Sequence, residues 1–223
     1  MISGEPAMTP ILPASASIYS PLVLRYAYDA WVLGISNRFA WKAPTARLRR
    51  HFEAHARDRH LEATAGTGYF PDRCRFPVEC PDITLVDVNP HCLAVAARRL
   101  VRFKPKTILA DLMAPLPLPL EAFHSIHVGY LFHCLPGPLA AKGRVLETLW
   151  PHLHPDGSLF GSTLLPDGGN AFARGLTRIY NRKGIFGNAA DTLEGLRDIL
   201  RAHFPIVALE RVGQAALFVA RKQ

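Results

Sequence analysis

Three acids at the ends of short apolar runs are the residues of this 223-residue chain best placed to do chemistry. Glu62 follows His60 and Leu61, and four positions later Gly66-Thr67-Gly68 sets two glycines around one residue. That order suits a strand ending in a tight turn under a nucleotide-like ligand, because glycine has no Cβ to keep backbone N–H groups away from it. A dinucleotide-binding strand runs apolar straight into G-x-G-x-x-G, and its pyrophosphate needs no acid there. Glu62 therefore favours a cationic or hydroxyl-bearing ligand. The third glycine of the dinucleotide pattern is also missing, since Tyr69, Phe70 and Pro71 follow. The next apolar run, Ile83, Thr84, Leu85 and Val86, ends in Asp87. It lies about 20 residues beyond the glycines, the offset at which a second strand presents an acid to ribose hydroxyls. Vicinal hydroxyls donating to one carboxylate make a charge-assisted pair of hydrogen bonds. A third run, residues 107–110, stops at Asp111 and Leu112. A ligand with an adenine amino group, a ribose diol and a cationic end would use all three acids. Singly, each has an ordinary reading: G-x-G occurs in many loops, and Asp favours helix N-caps and turns. Their joint order and spacing points to a cofactor.

Glu62-x-x-x-Gly66-x-Gly68, Asp87 and Asp111 resemble, in order and spacing, the first three motifs of the class I S-adenosylmethionine-dependent methyltransferases. The likeness covers residues 57–165 by motif and the rest by element pattern. Thr64 stands where the family usually has its first glycine. The resemblance implies that the turn, with Glu62, Ala63, Gly66 and Gly68, holds the methionine portion of S-adenosyl-L-methionine. Asp87 with Val88 would then take the ribose, and Asp111 with Leu112 the adenine edge. Tyr28 and Gly129 complete the expected cofactor set.

The elements that must position these residues alternate between strand and helix. Pro90 opens a helix through Leu93, Ala97 and Leu100; residues 125–131 form an apolar fourth strand; Pro138 opens a helix carrying Leu139, Val145, Leu146, Leu149 and Trp150. Pro155-Asp156-Gly157 turns into a fifth strand over residues 158–165, and a helix is expected over residues 172–180. Such alternation argues for a mostly parallel sheet with helices on both faces. Residues 206–212 and 215–220 are apolar runs joined by a short turn at Gly213, which only an antiparallel hairpin can connect. The expected fold is an α/β three-layer sandwich: a seven-stranded, mostly parallel sheet ending in an antiparallel C-terminal hairpin, under an N-terminal helical lid. The organisation expected is a flexible leader over residues 1–18, then one methyltransferase domain over 19–223, with the lid at 19–56 and the Rossmann-like core at 57–223. The lid divides into a helix carrying Leu22, Leu24, Tyr26, Tyr28 and Trp31 and a second opening near Pro44-Thr45.

Composition narrows the class. Hydrophobic content of 49% with 20% charged residues is that of a globular protein, and no apolar run reaches the length of a membrane span. With no signal peptide and no C-x-x-C pair among Cys74, Cys80, Cys92 and Cys134, a reducing cytoplasm is the expected compartment. The histidine pairs His51/His55 and His152/His154 lack a further ligand at metal spacing, so no metal is expected. A net charge of +8 raises nucleic acid as a partner. The arginines, such as Arg47, Arg49, Arg50, Arg98, Arg99 and Arg102, are scattered along helices without interleaved aromatics, which favours a solvated basic face. Nor does an Asn/Asp-Pro-Pro-Tyr/Phe run follow the fourth strand, as the resemblance would require for methylation of bases or amides.

In open α/β sheets the ligand crevice lies beyond the carboxyl ends of the strands. Residues 129–137, leaving the fourth strand, would run past the transferable methyl group. His133 is a candidate general base, because imidazole titrates near neutrality; the other reading is a capping or core histidine. Tyr130 would contact the substrate or pack over the cofactor. The aromatics of residues 26–41 would close over the cofactor or cover the sheet, and residues 180–188 would wall the acceptor pocket. The expected function is S-adenosyl-L-methionine-dependent methyl transfer to a small-molecule, secondary-metabolite O or N acceptor. The alternatives are an RNA- or protein-modifying methyltransferase, or a related protein that binds the cofactor without transferring methyl. No nucleic acid or membrane partner is expected, and a homodimer stays open.

Overall fold

The apolar runs assemble into one seven-stranded sheet of order β3-β2-β1-β4-β5-β7-β6. The computed structural model describes residues 36–223, so the expected leader, the first lid helix and Tyr28 lie outside the described residues. Strands β1 (Arg59–Glu62), β2 (Asp82–Asp87), β3 (Lys106–Leu109), β4 (Phe123–Gly129) and β5 (Leu153–Leu164) run parallel. The hairpin β6 (Ile206–Val212) and β7 (Ala215–Arg221) is antiparallel, and β7 is inserted between β5 and β6. Gly213, at φ 59°, makes the left-handed turn between them. Strand order reverses between β1 and β4, and that switch point is where an open α/β sheet leaves a crevice.

Parallel strands need crossovers, and the crossovers cover both faces. On one face lie α1 (Thr45–His55), α2 (Tyr69–Arg73) and α3 (Pro90–Arg99); on the other lie α4 (Leu139–Lys142), α5 (Arg144–Leu149) and α7 (Leu193–Arg201). Alternation along the strands assigns the faces. Leu61, Ile126, Val128 and Leu159 pack with Val145, Leu146, Leu196 and Leu200, while Phe52 of α1 meets Phe160, and Ile83 and Leu85 meet Leu93 and Ala96 of α3. Helix α1 thus covers the sheet. Helix α6 (Ala171–Arg182) adds an aromatic cluster with Trp41 and Phe186. Among the described residues no helix is long and apolar enough to cross a membrane.

The fold matches the sequence expectation with local corrections. The third strand ends at Leu109, two residues short of Asp111, and the fourth spans 123–129. The helix after Pro138 divides at Gly143 into α4 and α5. Strand β5 begins at Leu153, with Pro155-Asp156-Gly157 inside it; a register shift between Phe123 and Ser125 accommodates them, as bulges do for proline in a strand. Helix α7 was not expected. Its signal is present: Thr192 caps the Gly195 amide, and Leu193, Leu196 and Leu200 recur at helical spacing.

Candidate functional site

The loop after β1 is a compact turn at the mouth of the crevice. Gly66 (φ 49°) and Gly68 (φ 70°) both take the left-handed backbone that an L side chain resists. At Gly68 there is no room either: a Cβ there would lie 3.1 Å from the Ala96 Cα of α3. At Gly66 the nearest atom to an added Cβ is the Thr64 carbonyl oxygen at 3.9 Å, so that side of the turn is open. Thr64 has a use that glycine could not serve. Its hydroxyl donates to the Gly129 carbonyl (3.0 Å) and accepts from the Gly129 amide (3.1 Å), tying the exits of β1 and β4 together. Ala63 joins the same seam, donating its amide to the His127 carbonyl (2.9 Å). The crevice so formed, about 70 Å³, is lined by Glu62, Gly66, Tyr69, Phe70, His127 and Tyr130, among others.

Asp87, at the end of β2, holds the turn from the side. Its Oδ2 accepts from the Gly66 amide (3.1 Å) and its Oδ1 from the Asn89 amide (2.9 Å). Burial pushes the Asp87 carboxyl above its ordinary range, against the pull of these N–H donors. The Val88 amide donates to the same carboxylate, which keeps acceptor capacity for one further donor. Val88 follows, and Asn89 caps α3 by accepting from the His91 amide. Asp111 behaves as a turn residue: it is exposed, and its Oδ1 accepts from the Met113 amide (2.9 Å), while Leu112 is buried beside it. The structure brings Glu62, Ala63, Gly66, Gly68, Asp87 and Gly129 to one locus and sets Asp111 beyond the neighbouring strand end.

Glu62 does not stand alone. Its Oε1 accepts from His127 Nδ1 (2.6 Å), and its Oε2 lies 3.5 Å from His60 Nε2, whose Nδ1 meets Ser125 Oγ at 2.8 Å. His60 pairs with Ser125, and Glu62 with His127, across β1 and β4, so all four side chains share the face under α1. Burial would raise the Glu62 carboxyl; the facing His127 charge and the hydrogen bonds from His127 and His60 outweigh it and hold the group below its usual range. Burial pushes His60 down, against the pull of Glu62. Phe52, Phe70 and Phe160 rings pack around His127 at 5.0–5.7 Å. His60 and His127 escaped the sequence reading. The signal was there, since His60 is two residues before Glu62 and must share its face.

Past Gly129 the two catalytic candidates separate. Tyr130 has a positive φ of 55°, lines the crevice, and donates its hydroxyl to Asn37 Oδ1 (2.9 Å). His133 is buried beneath it. Its Nδ1 accepts from the Leu164 amide and lies 3.3 Å from Thr163 Oγ1. Burial, with the nearby Lys142 charge, lowers its pKa to about 3. The structure places His133, the expected general base, as a buried histidine packed against Phe186 at 4.7 Å. Residues 183–191 are held across the ends of β4 and β5 by the fully buried Lys142, whose ammonium donates to Asp191 Oδ2 (2.6 Å) and the Gly187 carbonyl (2.9 Å).

No protein-family model matches the chain. Over 195 residues it is 37% identical to demethylluteothin O-methyltransferase of Streptomyces thioluteus, covering 86% of this chain and 85% of the relative. It is 35% identical over 221 residues to the physcion biosynthesis cluster O-methyltransferase of Aspergillus chevalieri, covering 97% and 98%. Among solved structures, the DhpI–SAH complex matches with a TM-score of 0.66 at 14% identity, over 93% of this chain and 95% of that one, a likeness of fold.

Proposed function

Since the chain belongs to the class I S-adenosylmethionine-dependent methyltransferases, we propose that it transfers the methyl group of S-adenosyl-L-methionine to a hydroxyl oxygen of a small secondary metabolite. The observation that carries this reading is the crevice at the β1/β4 switch point, where the Gly66–Gly68 turn, Asp87 and the Thr64–Gly129 bridge converge. The relatives' names support the oxygen acceptor and the small-molecule class.

The residues fit the cofactor. The open side of Gly66 leaves space over the turn, and the acceptor capacity that the buried Asp87 keeps beside its three backbone N–H donors would suit a ribose hydroxyl. Asp111 would offer its other oxygen to an adenine amino group, beside the buried Leu112. When bound, the cofactor supplies a methyl group activated by its sulfonium sulfur. The chain's share is to orient, to exclude water and to leave little for a base to do, since in-line positioning supplies much of such a rate. Tyr130 closes one wall of the crevice and is tied by its hydroxyl to Asn37. Trp41, Tyr180 and Phe186 form an apolar cluster packed against Tyr130, with rings 5.0–6.3 Å apart. Tyr130 acts here as a wall and a tether.

The test uses methyl-labelled cofactor with the intact protein, presented in parallel with a panel of phenols and enols, total RNA and bulk protein. Label is expected in the small-molecule fraction as an O-methyl ether. Label confined to RNA or protein would contradict the reading.

A further inference from the structure

A cavity of about 230 Å³ lies at the end of the sheet opposite the crevice, where β1, β2 and β3 begin. Its roof is the connection from β3 to β4. That segment carries Pro115, Pro117 and Pro119, and each proline removes an amide donor and pushes the residue before it out of the helical region. Residues 110–122 therefore form no helix, where a parallel crossover ordinarily carries one. The segment is fastened nonetheless. Leu116 reaches the core, the Glu121 amide donates to the Pro151 carbonyl (2.9 Å), and His152 Nδ1 meets the Pro119 carbonyl at 3.0 Å. An extended strap covers a sheet face less completely than a helix does, and the cavity lies beneath it.

Strand register brings polar groups into this cavity. Arg59 pairs with Asp82, and Thr84 pairs with both Leu61 and Lys106, so Arg59, Asp82, Thr84, Lys106 and Ile108 share one face of the sheet. All five line the cavity, together with Leu118 of the strap. Lys106 Nζ donates to both oxygens of Asp82, at 3.0 and 3.1 Å, so those two charges offset each other. Arg59 remains as the surplus positive charge. Its Nη2 meets His124 Nε2 at 2.7 Å, and its Nε and Nη1 have no partner among the described residues. Thr84 is only 3% exposed, yet its hydroxyl has no hydrogen-bond partner among the described residues either. A buried hydroxyl left so is unfavourable, and a ligand that accepts from it removes the cost. The geometry points to a binding site for a small monocarboxylate with a compact apolar body. Its carboxylate accepts from the Arg59 guanidinium and the Thr84 hydroxyl, and its body lies against Ile108 and Leu118. A guanidinium matches the paired oxygens of a carboxylate, and the cavity, below the size of drug-sized pockets, suits a single ring. Inorganic phosphate would meet the cation and leave the apolar wall uncovered. The site stands apart from the cofactor reading, since Glu62 and Asp87 end the strands that Arg59 and Asp82 begin.

The experiment is a ligand-observed NMR titration of the intact protein with benzoate, benzamide and inorganic phosphate, with and without excess S-adenosylhomocysteine. Benzoate should bind, and benzamide and phosphate should each bind about 10-fold or more weakly. Losing one hydrogen bond to a charged group predicts a weakening of about 10-fold for benzoate in Thr84→Val and in Arg59→Gln. Both substitutions are conservative in volume, and thermal unfolding midpoints close to the wild type report that the variants are folded. S-adenosylhomocysteine should leave benzoate affinity within about 2-fold. Absence of benzoate binding, equal affinity for benzamide or phosphate, or affinity unchanged in both variants would overturn the proposal. Displacement of benzoate by S-adenosylhomocysteine would also overturn it, because the bound site would then be the crevice.

Discussion

At the scale of single residues, Thr64 shows how a departure from a motif can be read physically. The family resemblance expects glycine there, and sequence alone gave no use for a hydroxyl. The structure gives one: Thr64 satisfies both the amide and the carbonyl of Gly129 across the seam between β1 and β4. Thr64→Val keeps the shape and removes both bonds, leaving two backbone groups without partners in a half-buried seam. We expect a loss of about 1–3 kcal/mol of stability, read as a lowered urea midpoint with unchanged slope. A midpoint within a few tenths of a kcal/mol of the wild type would show that water replaces the hydroxyl. Glu62 and Asp87 were legible as strand ends at this scale because strand ends and glycine spacing are local. The partners of Glu62 were less so, since His127 lies 65 residues away and only strand pairing brings it alongside.

At the scale of elements, the segment over residues 183–191 depends on one buried cation. Lys142 leaves α4 to reach Asp191 and the Gly187 carbonyl, and burial raises the Asp191 carboxyl against that pull. Lys142→Met removes one partner and leaves a buried acid uncompensated, at a cost of about 3–5 kcal/mol. The double substitution Lys142→Met with Asp191→Leu should recover much of the loss, and a cycle in denaturant measures the coupling. The strands and long helices were readable from period and from proline and asparagine at helix starts, as Pro90 after Asn89 shows. The errors came where tertiary pairing overrides local signals. Pro155-Asp156-Gly157 reads as a turn, yet a register shift against β4 carries it inside β5. Asp111 reads as a strand end, yet β3 stops at Leu109 on a sheet edge and the acid caps its own turn.

At the scale of the whole molecule, three histidines in or against the sheet are pushed toward the neutral form. His51 is lowered to about 4 by burial and by His55, His133 to about 3 by burial and by Lys142, and His60 is lowered by burial. A folded-state pKa below the unfolded value means that the unfolded chain binds protons more readily. The stability these groups contribute is complete above about 6.5 and is lost as pH falls toward about 3–4. The fully buried His133 accounts for up to about 1.4 kcal/mol per pH unit in that window. Thermal unfolding should therefore shift steeply downward between pH 6.5 and 4, and His133→Gln should make the shift shallower. An equal slope in the variant would place the acid sensitivity elsewhere. The same substitution should leave the shape of the pH–turnover profile near neutrality unchanged, as follows for a core histidine. All these readings meet in the claim that the β1/β4 crevice is built for S-adenosyl-L-methionine, and one titration tests it most directly. Calorimetry of the cofactor into the wild type should give a micromolar Kd, and Asp87→Ala should weaken it by about 10- to 100-fold through the lost ribose contacts. A wild type that releases no heat and shows no binding, or an Asp87→Ala variant that binds as tightly as the wild type, would contradict the account.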